Sequence, residues 1–383
     1  MPNTNPPKSK GKRVSGVAGS GKTLVLIHKA VNAAIEGKQV LIVCYNITMA
    51  NYLKECVNRL ARSKDQNCHR NIQVFHFHYL FTDEKGLNKE KLNSNIEPDV
   101  ILIDEAQDFR REWIIQLQSI GSANHHLMLF EDDRQNIYDV DTGERVSIPG
   151  VLGRPNKLNR SYRIPLQTAK LANLFATHYC PESLSGDVEK VNELDLFVSN
   201  IWFDGINALD TLKQDILRLI HNPNAARPDI AILVCTIKSG WKVCKVLDEL
   251  NLPYQKTFES EEENWQLRKI SEQKSSIYFK DKEIELRRGY KVGFCMQTGK
   301  IKVSTIHSFK GWELNNILVY FAPNKGQAKV TAPLLYTAMT RSQQNLTIYG
   351  SDFGDFVDLA VQKGYVTRHL ASSQMESTLM PIS

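Results

Sequence analysis

No stretch of this 383-residue chain is apolar over the length a membrane-spanning helix needs, and residues 1–13 are polar and rich in proline and lysine, without the apolar core of a secretion signal. No membrane partner is expected. Cysteine is sparse. The seven present, Cys44, Cys56, Cys68, Cys180, Cys235, Cys244 and Cys295, are odd in number and never stand as a Cys-x-x-Cys pair. That argues against a disulfide framework and against a zinc site, and points to a reducing, cytoplasmic location. No solenoid-length repeat and no extended low-complexity tract interrupts the chain. Neither sign of charge dominates: a formal net charge of +6 is compatible with an acidic polymer as partner but is too mild to establish one. What is there, 42% apolar and 23% charged residues, is an ordinary globular composition, long enough for two domains.

Short apolar segments recur at 40–44, 100–103, 127–130, 230–235, 317–321 and 346–349, with helical patterns between them. This alternation predicts an α/β fold in which mainly parallel sheets are flanked by crossover helices. A turn-rich stretch, 139–155, followed by a helix-like segment, 166–177, places a boundary near 160, giving domains 1–160 and 161–383. Residues 256–300 turn charged, with Glu261-Glu262-Glu263 followed by Arg268, Lys269, Lys274, Arg287 and Arg288, and read as an irregular insertion. From about 372 onward a loose tail is expected.

The chemistry starts at residues 16–23, Gly16-Val17-Ala18-Gly19-Ser20-Gly21-Lys22-Thr23. Backbone N–H groups can turn inward on phosphates at close range only where side chains are absent, which accounts for three glycines in one short loop. Lys22 then reaches the β- and γ-phosphates from a solvent-filled cleft, and Thr23 offers its hydroxyl to Mg2+. Leu26, Ile27, Ala30, Val31 and Ala34 follow at helical spacing, so the loop lies at a helix N-terminus, whose dipole favours anions. A buried-strand pattern, Val100-Ile101-Leu102-Ile103, delivers Asp104 to the strand's C-terminal end, where α/β folds hold their ligands. Asp104 is the candidate metal ligand, and Glu105 the candidate base that orients and deprotonates the attacking water. An acidic turn after a strand is common, but with the loop upstream the two elements point to hydrolysis of a nucleoside triphosphate.

Four further stretches sharpen this. Asp104-Glu105-Ala106-Gln107-Asp108, Gln135-Asn136-Ile137-Tyr138, Thr305-Ile306-His307-Ser308-Phe309-Lys310-Gly311-Trp312-Glu313 and Tyr336-Thr337-Ala338-Met339-Thr340-Arg341 resemble, in order and rough spacing, the UvrD/Rep-like group of superfamily 1 helicases. The resemblance covers about 16–349. It implies two RecA-like domains that clamp ATP between them. By motif, Gln135 would sense the γ-phosphate, Tyr162 in Asn159-Arg160-Ser161-Tyr162-Arg163 would stack on the nucleobase, Glu313 would touch the ribose, and Arg163 and Arg341 would neutralise charge in the transition state. A guanidinium can bridge two phosphoryl oxygens as that charge spreads. Outside such motifs, either arginine would read as a solvated surface charge.

The resemblance also implies a path for single-stranded nucleic acid, with DNA favoured, lined by Tyr45, Asn46, His76, Tyr138, Thr305 and His307. Stacking rings and backbone-directed polar groups suit sequence-tolerant binding. The alternative for 75–81, where Phe75, Phe77, Tyr79 and Phe81 alternate with His76, His78 and Leu80, is a strand with one wet edge. Some family features differ here. Fifteen residues precede Gly16, none of them the glutamine with which relatives read adenine, and the strand delivering the loop is reduced to about Arg13-Val14-Ser15, as in the C-terminal part of a larger protein. The large helical inserts shrink to at most 62–98 and 256–300. Asp139-Val140-Asp141 replaces a tryptophan platform, and Glu131-Asp132-Asp133 stands where a glycine-aspartate pair is usual. Three functions remain open: an ATP-driven translocase or helicase, a nucleic-acid-stimulated ATPase serving a partner protein or nuclease subunit without unwinding alone, and an idle nucleotide-switch subunit.

Overall fold

A computed structural model describes residues 10–65, 67–82, 86–92, 97–138, 154–180, 189–190, 198–205, 207–221, 229–271, 276–296, 298–321, 330–351 and 353–369. The chain divides into two compact units, Met1–Arg163 with Glu182–Val191, and Ile164–Pro181 with Asn192–Ser383. Tyr162 and Arg163 therefore group with the first unit, although a boundary at 160 puts them in the second. Most of the turn-rich stretch at 139–155, with the segment after Tyr138, lies outside the described residues, as does the tail from 372.

The first unit is built on a six-stranded parallel sheet in the order Ile72–His76, Val40–Cys44, Val100–Asp104, His126–Glu131, Lys10–Gly16, Asn156–Leu158. Its central strands are apolar on both faces because helices or loops cover both. Alternate side chains still separate: Val40, Ile42, Cys44, Val100 and Leu102 pack with the helices Lys22–Ile35 and Ile47–Lys64, while Leu41, Val43, Ile101 and Ile103 pack with Phe77, Phe109, Ile114 and Leu117. Each such aliphatic side chain contributes roughly 1.5–3 kcal/mol on burial.

Two expectations about this unit are corrected. The leading strand spans Lys10–Gly16, longer than 13–15. Its sequence is mostly polar, so hydrogen bonding to a neighbour on each side, His126–Glu131 and Asn156–Leu158, makes it a strand rather than its own hydrophobicity. The alternation through 75–81 is not one strand. Ile72–His76 ends there and Phe77–Leu80 forms a helical turn that buries Phe77 and Leu80, three residues apart, on one side.

The second unit carries a seven-stranded sheet, also parallel, in the order Tyr254–Lys256, Ile301–Thr305, Ile230–Val234, Leu314–Tyr320, Ser342–Tyr349, Ser199–Phe203, Thr367–His369. The α/β architecture of mainly parallel sheets expected from the alternating pattern, and the two RecA-like domains that the resemblance implies, are what the chain adopts. The 256–300 stretch is not irregular: it forms the helices Glu261–Ser271 and Ser276–Val292. Arg287 holds this hairpin to its root, donating from Nε to Glu259 Oε2 at 3.0 Å and from Nη2 to Glu259 Oε1 at 2.7 Å. Tyr290 donates its hydroxyl proton to the Glu263 carboxylate, and Asn264 Nδ2 donates to Glu283 Oε1. Charge here signals a bonded network rather than a solvated loop.

Candidate nucleotide site and strand-facing residues

The strands ending in Gly16 and Asp104 are not adjacent; His126–Glu131 lies between them. Their C-terminal ends thus frame a crevice, with the turn after Glu131 entering from the middle. Gly19 and Gly21 take positive φ, 72° and 86°, and Gly21 caps the helix that begins at Lys22. Gly16 is needed for space: a Cβ there would lie 2.6 Å from Ser20 Oγ.

Lys22 does not project into solvent as expected. It is 9% exposed, and its Nζ donates to the carbonyl oxygens of Gly16 at 2.6 Å and Val17 at 3.1 Å, with Asp132 Oδ2 at 3.7 Å. A primary ammonium in a narrow loop binds the nearest acceptors, and the loop's own carbonyls are those acceptors. Thr23 Oγ1 donates to Asp104 Oδ2 at 3.2 Å, joining residues far apart in sequence. A hydroxyl beside a carboxylate at the mouth of the loop is an all-oxygen donor set of the kind Mg2+ takes.

Glu105 is one of few non-glycine residues with positive φ, 51°, a conformation that costs energy and recurs at functional sites. Its Oε2 accepts from Gln107 Nε2 at 2.5 Å. Gln107 Oε1 accepts from the Asp132 backbone N–H at 3.0 Å, and Gln135 Nε2 donates to Asp132 Oδ2 at 2.7 Å. One chain of bonds thus runs from the Glu105 carboxylate through Gln107 and Asp132 to Gln135 and Lys22. Burial, and next the Glu105 carboxylate, push the Asp104 carboxyl up to about 7. Gln107 and Asp132 were visible as motif letters, but their bridging role was not. The unusual Glu131 is 1% exposed and pairs with Arg13 on the neighbouring strand.

Tyr162 is 66% exposed, and its backbone N–H donates to Gly19 O at 3.1 Å, which sets its main chain beside the loop. Arg163 is exposed as well. In the second unit Arg341 is buried: Nε donates to Thr337 O at 2.9 Å and Nη2 to Thr340 Oγ1 at 3.0 Å. It is not a solvated surface charge. Glu313 Oε2 accepts from Gln343 Nε2 at 3.4 Å.

Among the strand-facing candidates, Tyr45 is the centre of an aromatic cluster, 4.6 Å from Tyr138 and stacked on Phe77 at 5.2 Å, with Phe109 edge-on. His76 lies in the same region, 6.4 Å from His78. Burial, then the charge of Asp108, raises the Tyr138 hydroxyl well above its usual range. Asn46 and Thr305 are helix N-caps. Asn46 Oδ1 accepts from Thr48 N–H at 3.1 Å, and Thr305 Oγ1 from Ser308 N–H at 3.3 Å. His307 is half-buried on the short helix Ile306–Phe309 that Thr305 opens.

With this geometry in place, the class is that of P-loop proteins with a helicase-type core. Residues 7–141 match the family model of an AAA domain, and residues 300–349 match that of the UvrD-like helicase C-terminal domain. These two matches support a UvrD-like superfamily 1 helicase core. Among solved structures it is similar to the arterivirus nonstructural protein 10 helicase in complex with DNA, at 13% identity and TM-score 0.45, covering 92% of this chain and 64% of that one. It is also similar to the PRRSV helicase, at 10% identity and TM-score 0.43, covering 91% and 54%. The chain thus spans less than two thirds of either. No curated protein matches it. Among the described residues, no helix is long and apolar enough to cross a membrane.

Proposed function

We propose that this chain is an ATP-driven translocase on single-stranded nucleic acid, with DNA the favoured polymer. The observation that carries the reading is the Thr23–Asp104 contact beside Lys22, with Glu105 linked to Gln135 through three hydrogen bonds. Thr23 and Asp104 would hold Mg2+, which when bound neutralises charge on the phosphates. Lys22 would exchange its loop carbonyls for phosphate oxygens. Glu105, oriented by Gln107, would take the proton of the attacking water, and Gln135 would report the γ-phosphate through Asp132. Tyr162 would stack on the base and Glu313 meet the ribose, while Arg163 and Arg341 would meet the charge that spreads in the transition state. Tyr45, Tyr138, His76 and His307 would face the strand, Asn46 and Thr305 shaping the turns that present it.

The small hairpin 261–292 favours a second reading, a nucleic-acid-stimulated ATPase that relies on a partner protein or nuclease subunit to open duplex. Two measurements on the purified chain separate these readings: ATP turnover with and without single-stranded oligonucleotide, and strand displacement from a tailed duplex under single-turnover conditions. Stimulation together with displacement supports the translocase. Stimulation alone supports the partner-dependent ATPase, and absence of turnover removes both.

A further inference from the structure

Tyr254–Lys256 is the edge strand of the second sheet, paired on one side only, with Ile301–Thr305. Ladder bonds in a parallel pair use alternate residues. Ile301 N–H donates to Pro253 O, and Thr257 N–H donates to Val303 O. Residues 253, 255 and 257 therefore face inward, which turns the backbone N–H and C=O of Tyr254 and Lys256 outward. Among the described residues no strand meets them.

Two cavities flank these same two residues. One, of about 560 Å³, is lined by Trp241, Tyr254 and Trp265 with Asp248 and Glu262 at its rim. The other, of about 640 Å³, is lined by Tyr254, Lys256, Leu286 and Tyr290 together with Gly289 and Gly293. Both sizes fall in the range of ligand pockets. The charge in the first is one-sided once its pairs are removed. Lys245 is bound by Glu261 at 2.5 Å, and Lys256, which also lines this cavity and stands over the Tyr290 ring at 5.2 Å, has the Glu263 carboxylate as its electrostatic counterpart. Cys244, raised by burial to about 11, stays a neutral thiol. Among the described residues Asp248 and Glu262 have no cationic partner: Asp248 accepts from the Tyr254 hydroxyl at 3.4 Å, and Glu262 from Gln266 at 2.6 Å. Trp265 is 46% exposed.

We propose that this edge is a docking site for an extended peptide segment of a partner protein. The segment adds a strand to Tyr254–Lys256, places a lysine or arginine in the Trp241–Trp265 cavity and sets an apolar side chain against Leu286 and Tyr290. Outward backbone groups supply the main-chain bonds, and the flanking cavities read side chains, the division of labour in strand addition. The basic anchor matches the carboxylates of Asp248 and Glu262 and the Trp241 wall, because Lys269 already stands over the Trp265 ring at 3.4 Å. The same carboxylates repel a phosphate backbone. The site shares no residue with the candidate nucleotide site and does not depend on how that site acts.

The test pans phage-displayed random peptides on the full chain and measures a selected peptide, synthesised, by calorimetry. Selected peptides should share a basic residue beside apolar ones and should slow amide exchange at Tyr254 and Lys256. Asp248→Lys and Trp265→Ala should each weaken binding at least about tenfold while nucleotide turnover stays unchanged. Lys256→Pro, which removes an outward N–H, should abolish the exchange protection. Failure to select any peptide, selected peptides indifferent to Asp248→Lys and Trp265→Ala, or loss of oligonucleotide binding in those variants in place of peptide binding would each overturn the proposal.

Discussion

Arg13 and Glu131 form a nearly buried ion pair between adjacent strands, Nε to Oε1 at 2.9 Å and Nη2 to Oε1 at 2.6 Å. Arg13 stands three residues before the phosphate loop, and Glu131 directly precedes Asp132, the residue that touches both Lys22 and Gln135. The pair therefore ties the strand that leads into the loop to the strand that leads into Asp132 and Gln135. Glu131→Ala leaves a desolvated guanidinium without its partner, and stability should fall by about 3 kcal/mol. Replacing both residues with leucine should recover most of that loss. Denaturant midpoints at unchanged slope decide it; a loss below about 0.5 kcal/mol in Glu131→Ala, the size of an ordinary surface substitution, would show that water already serves Arg13.

Lys22→Ala should lower ATP turnover by at least about a hundredfold, since it removes the cation proposed to meet the β- and γ-phosphates. Because Lys22 also ties Gly16 O to Val17 O, a stability cost of about 1 kcal/mol should accompany it. Turnover and thermal melting are followed side by side. Unchanged turnover would remove this loop from the mechanism.

The Asp104 carboxyl is raised from 3.8 to about 7, so its proton is held more tightly in the folded state than in the unfolded chain. The unfolded state then ionises first, and this group's contribution to stability falls as pH rises from about 4 through 7. Asp104→Asn should flatten that slope and raise the melting temperature near pH 7.5 by a few degrees, on the order expected for about 1 kcal/mol, while abolishing Mg2+-dependent turnover. Melting curves across pH without added metal are the measurement. A variant that melts lower than the wild type at every pH would contradict the assignment.

Glu105→Gln keeps the bond to Gln107 within reach but loses the proposed base, so hydrolysis should stall while nucleotide still binds. Gln107→Leu should reduce kcat more than it changes KM, because it frees the Glu105 carboxylate without touching the phosphate loop. Equal effects on both parameters would make Gln107 a binding residue. In the Glu105→Gln protein, oligonucleotide affinity measured with and without ATP should differ; no difference would break the proposed coupling.

Much of the site was legible in the sequence because its parts are local. Positive-φ glycines, an apolar strand ending in Asp104, and the helical spacing after Thr23 are short-range properties, and each stands where the pattern put it. Capping by Asn46 and Thr305 is equally local, and the capping residues could have been read from it. The two helices in 261–292 were obscured by charge: Glu259 meets the Arg287 guanidinium and Glu263 the Tyr290 hydroxyl only after the hairpin closes.

The sequence by itself determined the phosphate loop, the acidic box that follows its strand, and the alternation that makes both sheets parallel. Only the tertiary structure decided that Lys10–Gly16 is a full strand, that Glu131 finds Arg13 across 118 residues, that Asp132 joins Lys22 to Gln135, and that Tyr254–Lys256 ends a sheet with its outer groups unpaired. Each of these depends on strand order. Which strands become neighbours is set by the packing of whole faces and the crossovers between them, and no residue's own conformational preference encodes it.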